Sequence, residues 1–176
     1  MTKAELLCSA AKNAVGTDAS PRNIAPQGYS CAESVTGVMR TVYPDVPEIT
    51  YTPDLYRFLM GDPRFRLLKD EEDSRGGDIV VTPTTFGKAR ITGHTGIYAS
   101  PGKIISTSGD TGILRQNYTD KTWDARWVVL GGMPKFRFRP VDIQDIQINI
   151  MFKIVQAMVQ MVPLLREKLR NRKRPY

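Results

Sequence analysis

Among its 176 residues the chain has one histidine and two cysteines. A single imidazole with scattered acids offers no ligand cluster for a transition metal, so no metal site is expected. Two cysteines, Cys8 and Cys31, are too few for a disulfide framework in a domain of this size. The N-terminus, M-T-K-A-E-L-L-C-S-A-A-K-N-A, lacks the apolar run of a secretion signal. Synthesis and residence in a reducing cytoplasm is the default expectation, and delivery elsewhere would need another route. No internal repeat or low-complexity segment is present. What remains is ordinary for a soluble protein, 41% hydrophobic and 24% charged residues, enough for one core with an appendage.

The formal charge of +7 is unevenly placed. Arg166 to Tyr176 holds six basic residues against Glu167, a net +5, which leaves the first 165 residues at +2. In front of that tail, Ile148 to Leu165 is apolar apart from Asn149, Lys153, Gln156, Gln160 and Pro163. The first four polar positions form one narrow stripe on a helix with a wide apolar arc. Eighteen residues approach the ~20 that span a bilayer, but a lysine, a proline and three amides fit an interfacial amphipathic helix better. The chain therefore divides into a domain at 1–140 and a helix with basic tail at 141–176. Its partner is a membrane surface, another protein or a second copy of the chain, with nucleic acid less favoured.

Residues 3–15 read as a helix, opened by a Thr2/Glu5 capping box and stopped at Gly16. Thr17 to Tyr29 is a loop. Ser30 and Glu33 form a second capping box, and Val35, Val38, Met39 and Val42 mark the buried face of a helix from Cys31 to about Tyr43. A third helix starts at Thr52 with Pro53 in its first turn. From Asp78 the period becomes that of strands: Asp78 to Thr82, His94 to Ala99, Lys103 to Thr107, Arg126 to Leu130 and Lys135 to Arg139. Helices followed by antiparallel strands give an α+β fold.

Cys31 stands at a helix start, where free N–H groups and the helix dipole favour a thiolate. His94 is the sole imidazole available as its base, and Gly93 and Gly96 let a substrate backbone or the helix approach the ring. Either residue alone reads as readily as core packing; the pair in this order points to a thiol hydrolase. Tyr29 lines the cleft or packs. Trp123 and Trp127 pack, with glycan stacking the alternative. Asp78 caps the strand entry, and Cys8 is inert.

The motifs G-Y-S-C-A-E-S-V, G-G-D-I-V-V-T-P, G-H-T-G-I-Y and K-I-I-S-T-S-G-D-T-G occur in this order over roughly residues 3–140. Together they resemble the NlpC/CHAP superfamily of cysteine peptidoglycan hydrolases. Small phage-type members are most similar, and they too end with an aromatic-Arg-Pro piece like Phe136 to Pro140. The Cys-before-His order is that of the unpermuted branch. The resemblance implies a papain-like core with N-terminal helices packed on an antiparallel sheet, Cys31 as nucleophile and His94 as base. It also implies an oxyanion hole that includes the Cys31 backbone N–H, and no cofactor. The family's third polar residue, His, Asn or Gln on the next strand, falls here at Ser106 or Thr107. A hydroxyl there is a departure, and Asp110 could substitute if its loop folds back. The implied substrate is an amide in the peptide part of peptidoglycan, with a virion-associated or periplasmic site of action. The rival is a structural or adaptor protein of a virion that reuses the fold without turnover.

Overall fold

A computed structural model describes residues 1–19, 30–84, 92–142, 151, 154–156 and 158–163. The chain divides into two units, Met1–Val141 and Asp142–Tyr176.

In the first unit, helix α1 (Lys3–Asn13) opens with the capping box: Thr2 Oγ1 accepts from Glu5 N–H, and Glu5 Oε2 accepts from Thr2 N–H. Its buried face carries Leu7 and Ala11. Helix α2 spans Ser30–Arg40, starting one residue earlier and ending three earlier than expected. At its end Thr41 Oγ1 donates back to the Val38 carbonyl, 2.8 Å away, and the chain turns off toward Pro44. Helix α3 (Thr52–Gly61) has Pro53 in its first turn, where the missing N–H costs nothing, and buries Leu55 and Leu59.

Six strands make one antiparallel sheet: β1 (Phe65–Leu67), β2 (Ile79–Thr82), β3 (His94–Ser100), β4 (Lys103–Thr107), β5 (Leu114–Thr119) and β6 (Phe136–Pro140), in the order β1-β6-β2-β3-β4-β5. The fold is α+β, with the N-terminal helices on one face of this sheet. Strand alternation assigns the faces. Ile79, Val81, Ile97 and Ile105 pack with Ala32, Val35 and Met39 of α2 and with Leu55 and Leu59 of α3. Val80, Tyr98 and Ile104 point the other way, to Trp123, Trp127 and Met133. The sheet is thus covered on both sides, and β2 is buried along its whole length.

The strand expected at Arg126–Leu130 is instead π-helical, Asp124–Leu130, following a short α4 (Asp120–Trp123). The run W-V-V-L has the composition of a strand, but its two flanking indoles are pinned. Trp123 Nε1 donates to Thr82 Oγ1 and Trp127 Nε1 donates to the Thr92 carbonyl, while Val129 and Leu130 stay exposed. Asp78 does more than open β2. Its buried carboxylate accepts from Arg75 N–H and pairs with the Arg139 guanidinium at 2.7 Å, tying β2 to β6.

In the second unit, residues 151, 154–156 and 158–163 are helical, and Met151, Ile154, Val155, Met158, Val159, Met161 and Val162 are all exposed. Among the described residues no helix is long and apolar enough to cross a membrane.

Candidate active site

Cys31 lies in the first turn of α2, on the helical face of the sheet. Pairing between β3 and β4 begins only at Ile97↔Ile105, so Thr95 lies beyond the last rung. The backbone N–H groups of Thr95 on β3 and of Ala32 in α2 lie toward the Cys31 sulfur and favour its charged form. Thr95 follows His94, the only imidazole of the chain, and the thiol is set against this stretch of backbone rather than against the ring itself. Among the described residues no hydrogen bond joins the two side chains directly.

The electrostatics of this thiol depart from the expectation of a thiolate. Burial raises its pKa to about 11, outweighing the nearby backbone N–H dipoles. Desolvation of a charge in a packed site exceeds what a few backbone dipoles return. His94 is driven the opposite way, to about 3, by burial first and by the Arg126 charge second. Its ring is stacked on Trp127 at 4.7 Å and 13°, with Trp123 at 5.4 Å and the edge of Tyr118 at 5.7 Å. Both groups are therefore neutral at pH 7.

Ser106 and Thr107, adjacent on β4, point to opposite faces and meet different partners. Ser106 Oγ lies 3.0 Å from His94 Nε2. Thr107 Oγ1 lies 2.6 Å from Ser34 Oγ on α2, on the other face of the sheet. Asp110 is exposed in the turn after β4 and makes no hydrogen bond to the imidazole among the described residues. Ser106 in turn donates to Asn117 Oδ1 at 2.8 Å. A hydroxyl has one proton to give, so with that proton on Asn117 its oxygen accepts from His94 Nε2–H. His94 Nδ1 is then the unprotonated ring nitrogen.

Two glycines shape the approach of these strands. A Cβ on Gly96 would meet Ile104 Cγ2 and the Ile105 carbonyl at 2.6 Å and Ser106 Cβ at 3.1 Å, so its absence lets β4 bring Ser106 up to the imidazole. Gly93 packs against the Thr82 carbonyl and Thr84 N, at 2.3 and 2.4 Å from an added Cβ, a close approach that requires glycine by itself. Trp123 and Trp127 are buried against His94 rather than open to a glycan. Cys8 is part-buried, its thiol directed at the Ala99 carbonyl. Tyr29 lies outside the described residues. Among the described residues no group of three or more His, Cys, Asp or Glu could hold a metal ion.

Asn117 was not singled out from the sequence, because L-R-Q-N-Y-T carries too little apolar alternation to mark β5 as a strand. The one available signal was the glycine-rich turn S-G-D-T-G after β4, which a hairpin partner would follow.

No family model matches the chain, and no curated protein matches its sequence. Among solved structures, NlpC2 from Trichomonas vaginalis is similar over 80% of this chain, with 19% identity and a TM-score of 0.49. The matched region spans 46% of that protein's chain, so this chain accounts for less than half of its length. The functional reading rests on the geometry around Cys31 and His94.

Proposed function

We propose that the protein is a papain-like thiol hydrolase in which Cys31 attacks an amide carbonyl and His94 serves as base and then acid. The observation that carries this reading is that the helix-start thiol lies by the Thr95 backbone, next in sequence to an imidazole whose Nε2 is already engaged by Ser106. Because thiol and imidazole are both neutral, the proton moves with the attack rather than before it. The Cys31 S–H proton passes to His94 Nδ1 as the sulfur–carbon bond forms. Imidazolium then returns the proton to the departing amine as the carbon–nitrogen bond breaks. Water, deprotonated by His94, releases the acid and restores the thiol. The Cys31 backbone N–H is the first oxyanion donor.

The substrate proposed is an amide in the peptide part of peptidoglycan, on the strength of the four ordered motifs, and the setting proposed is a phage-encoded protein of lysis or entry. Purified cell wall incubated with the protein should release new amino groups, and Cys31→Ser or His94→Ala should each abolish that release with the fold intact. Release that persists in Cys31→Ser would overturn the assignment.

A second reading, an adaptor without turnover, is favoured by the raised thiol pKa and by the Trp127 ring lying over His94. A thiol-directed activity probe separates the two. Labelling of Cys31 that depends on His94 supports the hydrolase, whereas an unreactive Cys31 in folded protein supports the adaptor.

A further inference from the structure

The β4–β5 ladder is irregular where the site needs it. Ile104 pairs with Tyr118 but Ile105 pairs with Gln116, so Asn117 is an extra residue opposite no partner. In a regular ladder, residues 117 and 118 would point to opposite faces. The bulge turns both to the His94 side, because bulges re-aim side chains at the residue they insert. Tyr118 puts its edge against the imidazole, and Asn117 puts its carboxamide on Ser106.

We propose that Asn117 is a positioning residue for His94, acting through the Ser106 hydroxyl. This rests on the reading of Cys31 and His94 as a thiol–imidazole pair. Asn117 Oδ1 takes the only proton of Ser106, which obliges Ser106 to accept from Nε2–H and holds the imidazole in the tautomer whose Nδ1 can receive the thiol proton. When the ring becomes imidazolium its Nε2–H donates more strongly, and a hydroxyl already donating onward is the better acceptor. The carboxamide thus stands one strand beyond the β4 hydroxyl, and its effect is relayed.

The charged and titratable groups facing the ring among the described residues are Arg126 from the π-helix and Tyr118 from β5. Among the described residues no carboxylate faces the ring, so a carboxylate placed at 117 is the one acidic group there to act on it. The chain's single histidine makes its imidazole NMR signals unambiguous in the full-length protein. Wild type should show the Nε2–H tautomer, a measurement that needs no variant. Asn117→Asp should raise the imidazole pKa by about one unit, tenfold in proton affinity. Asn117→Ala should mix the tautomers. In a Ser106→Ala background, Asn117→Asp should lose its effect. An Nδ1–H tautomer in wild type, an unmoved pKa in Asn117→Asp, or a shift undiminished by Ser106→Ala would each overturn the relay. Iodoacetamide alkylation of Cys31 in His94→Ala tests the pairing separately. An unchanged rate there would sink the thiol–imidazole reading while the NMR result still judges the contact from Asn117 to the ring.

Discussion

At Cys31 and His94 burial acts on groups of opposite charge type and pushes their pKa values apart, to about 11 and about 3. The thiol's folded pKa lies above its ordinary 9.0, so its contribution to stability is complete below pH 9 and is lost as pH rises through 11. The imidazole's folded pKa lies below 6.5, so its contribution is complete above pH 6.5 and is lost as pH falls through 3. The two together leave a window of greatest stability between these ordinary values. Reactivity follows the same numbers. The alkylation rate of Cys31 by iodoacetamide should climb with pH without levelling until about 11, since only the thiolate reacts. A plateau between pH 5 and 9 would reveal a preformed thiolate–imidazolium pair and contradict the neutral resting state.

Two elements hold the imidazole, and each can be released by one substitution. The π-helix lays Trp127 over the ring, and Arg126 lies 5.4 Å from the centroid of that indole. Trp127→Ala should cost about 3–5 kcal/mol in urea unfolding, the range for deleting a buried large aromatic. It should also let water reach His94, so that the imidazole titration moves up toward 6.5. Loss of stability without movement of that titration would mean that Trp127 does not set the burial of the ring. The close pairing of β3 with β4 depends on Gly96, where a methyl group has no space. Gly96→Ala should destabilise by about 1–3 kcal/mol through overpacking, and should part Ser106 from His94, seen as loss of the Nε2–H tautomer. A third tie joins β2 to β6. Arg139→Met strands the Asp78 carboxylate, which has no solvent access, and should cost about 3–5 kcal/mol. Equal urea midpoints for this variant and wild type would refute that role for the pair.

At the scale of the molecule, Met1–Val141 contains both hydrophobic clusters and every contact of the candidate site described above. In the second unit seven of the described helical residues are exposed apolar side chains, and +5 of the chain's +7 follows directly behind them. The role proposed for this unit is attachment to an anionic bilayer surface, where apolar insertion and basic charge act together. Full-length protein should co-sediment with anionic vesicles at low salt, with added salt removing the electrostatic share of binding. Protein truncated after residue 141 should stay in the supernatant with its fold and Cys31 reactivity unchanged. Full-length protein that stays in the supernatant at low salt would refute attachment to the bilayer. A change of assembly state on truncation would point to a protein partner or a second copy.

Local patterns determined much of this protein. Capping residues announced α1, Pro53 the start of α3, and alternation the strands β2, β3, β4 and β6, because these depend on neighbours within a turn or a pleat. The motif order brought Cys31, His94 and the pair Ser106 or Thr107 forward as candidates; in the structure the thiol lies by the Thr95 backbone, the Ser106 hydroxyl meets His94 Nε2, and Thr107 turns to Ser34. Three features were decided by packing across the chain. W-V-V-L became π-helix because distant Thr82 and Thr92 hold its flanking indoles. Asn117 reached the site because a bulge, a property of two paired strands rather than of either, turned its side chain over. The protonation of Cys31 was settled by burial, since a helix start is visible in sequence but the protein atoms that exclude water from the sulfur are assembled only by the fold.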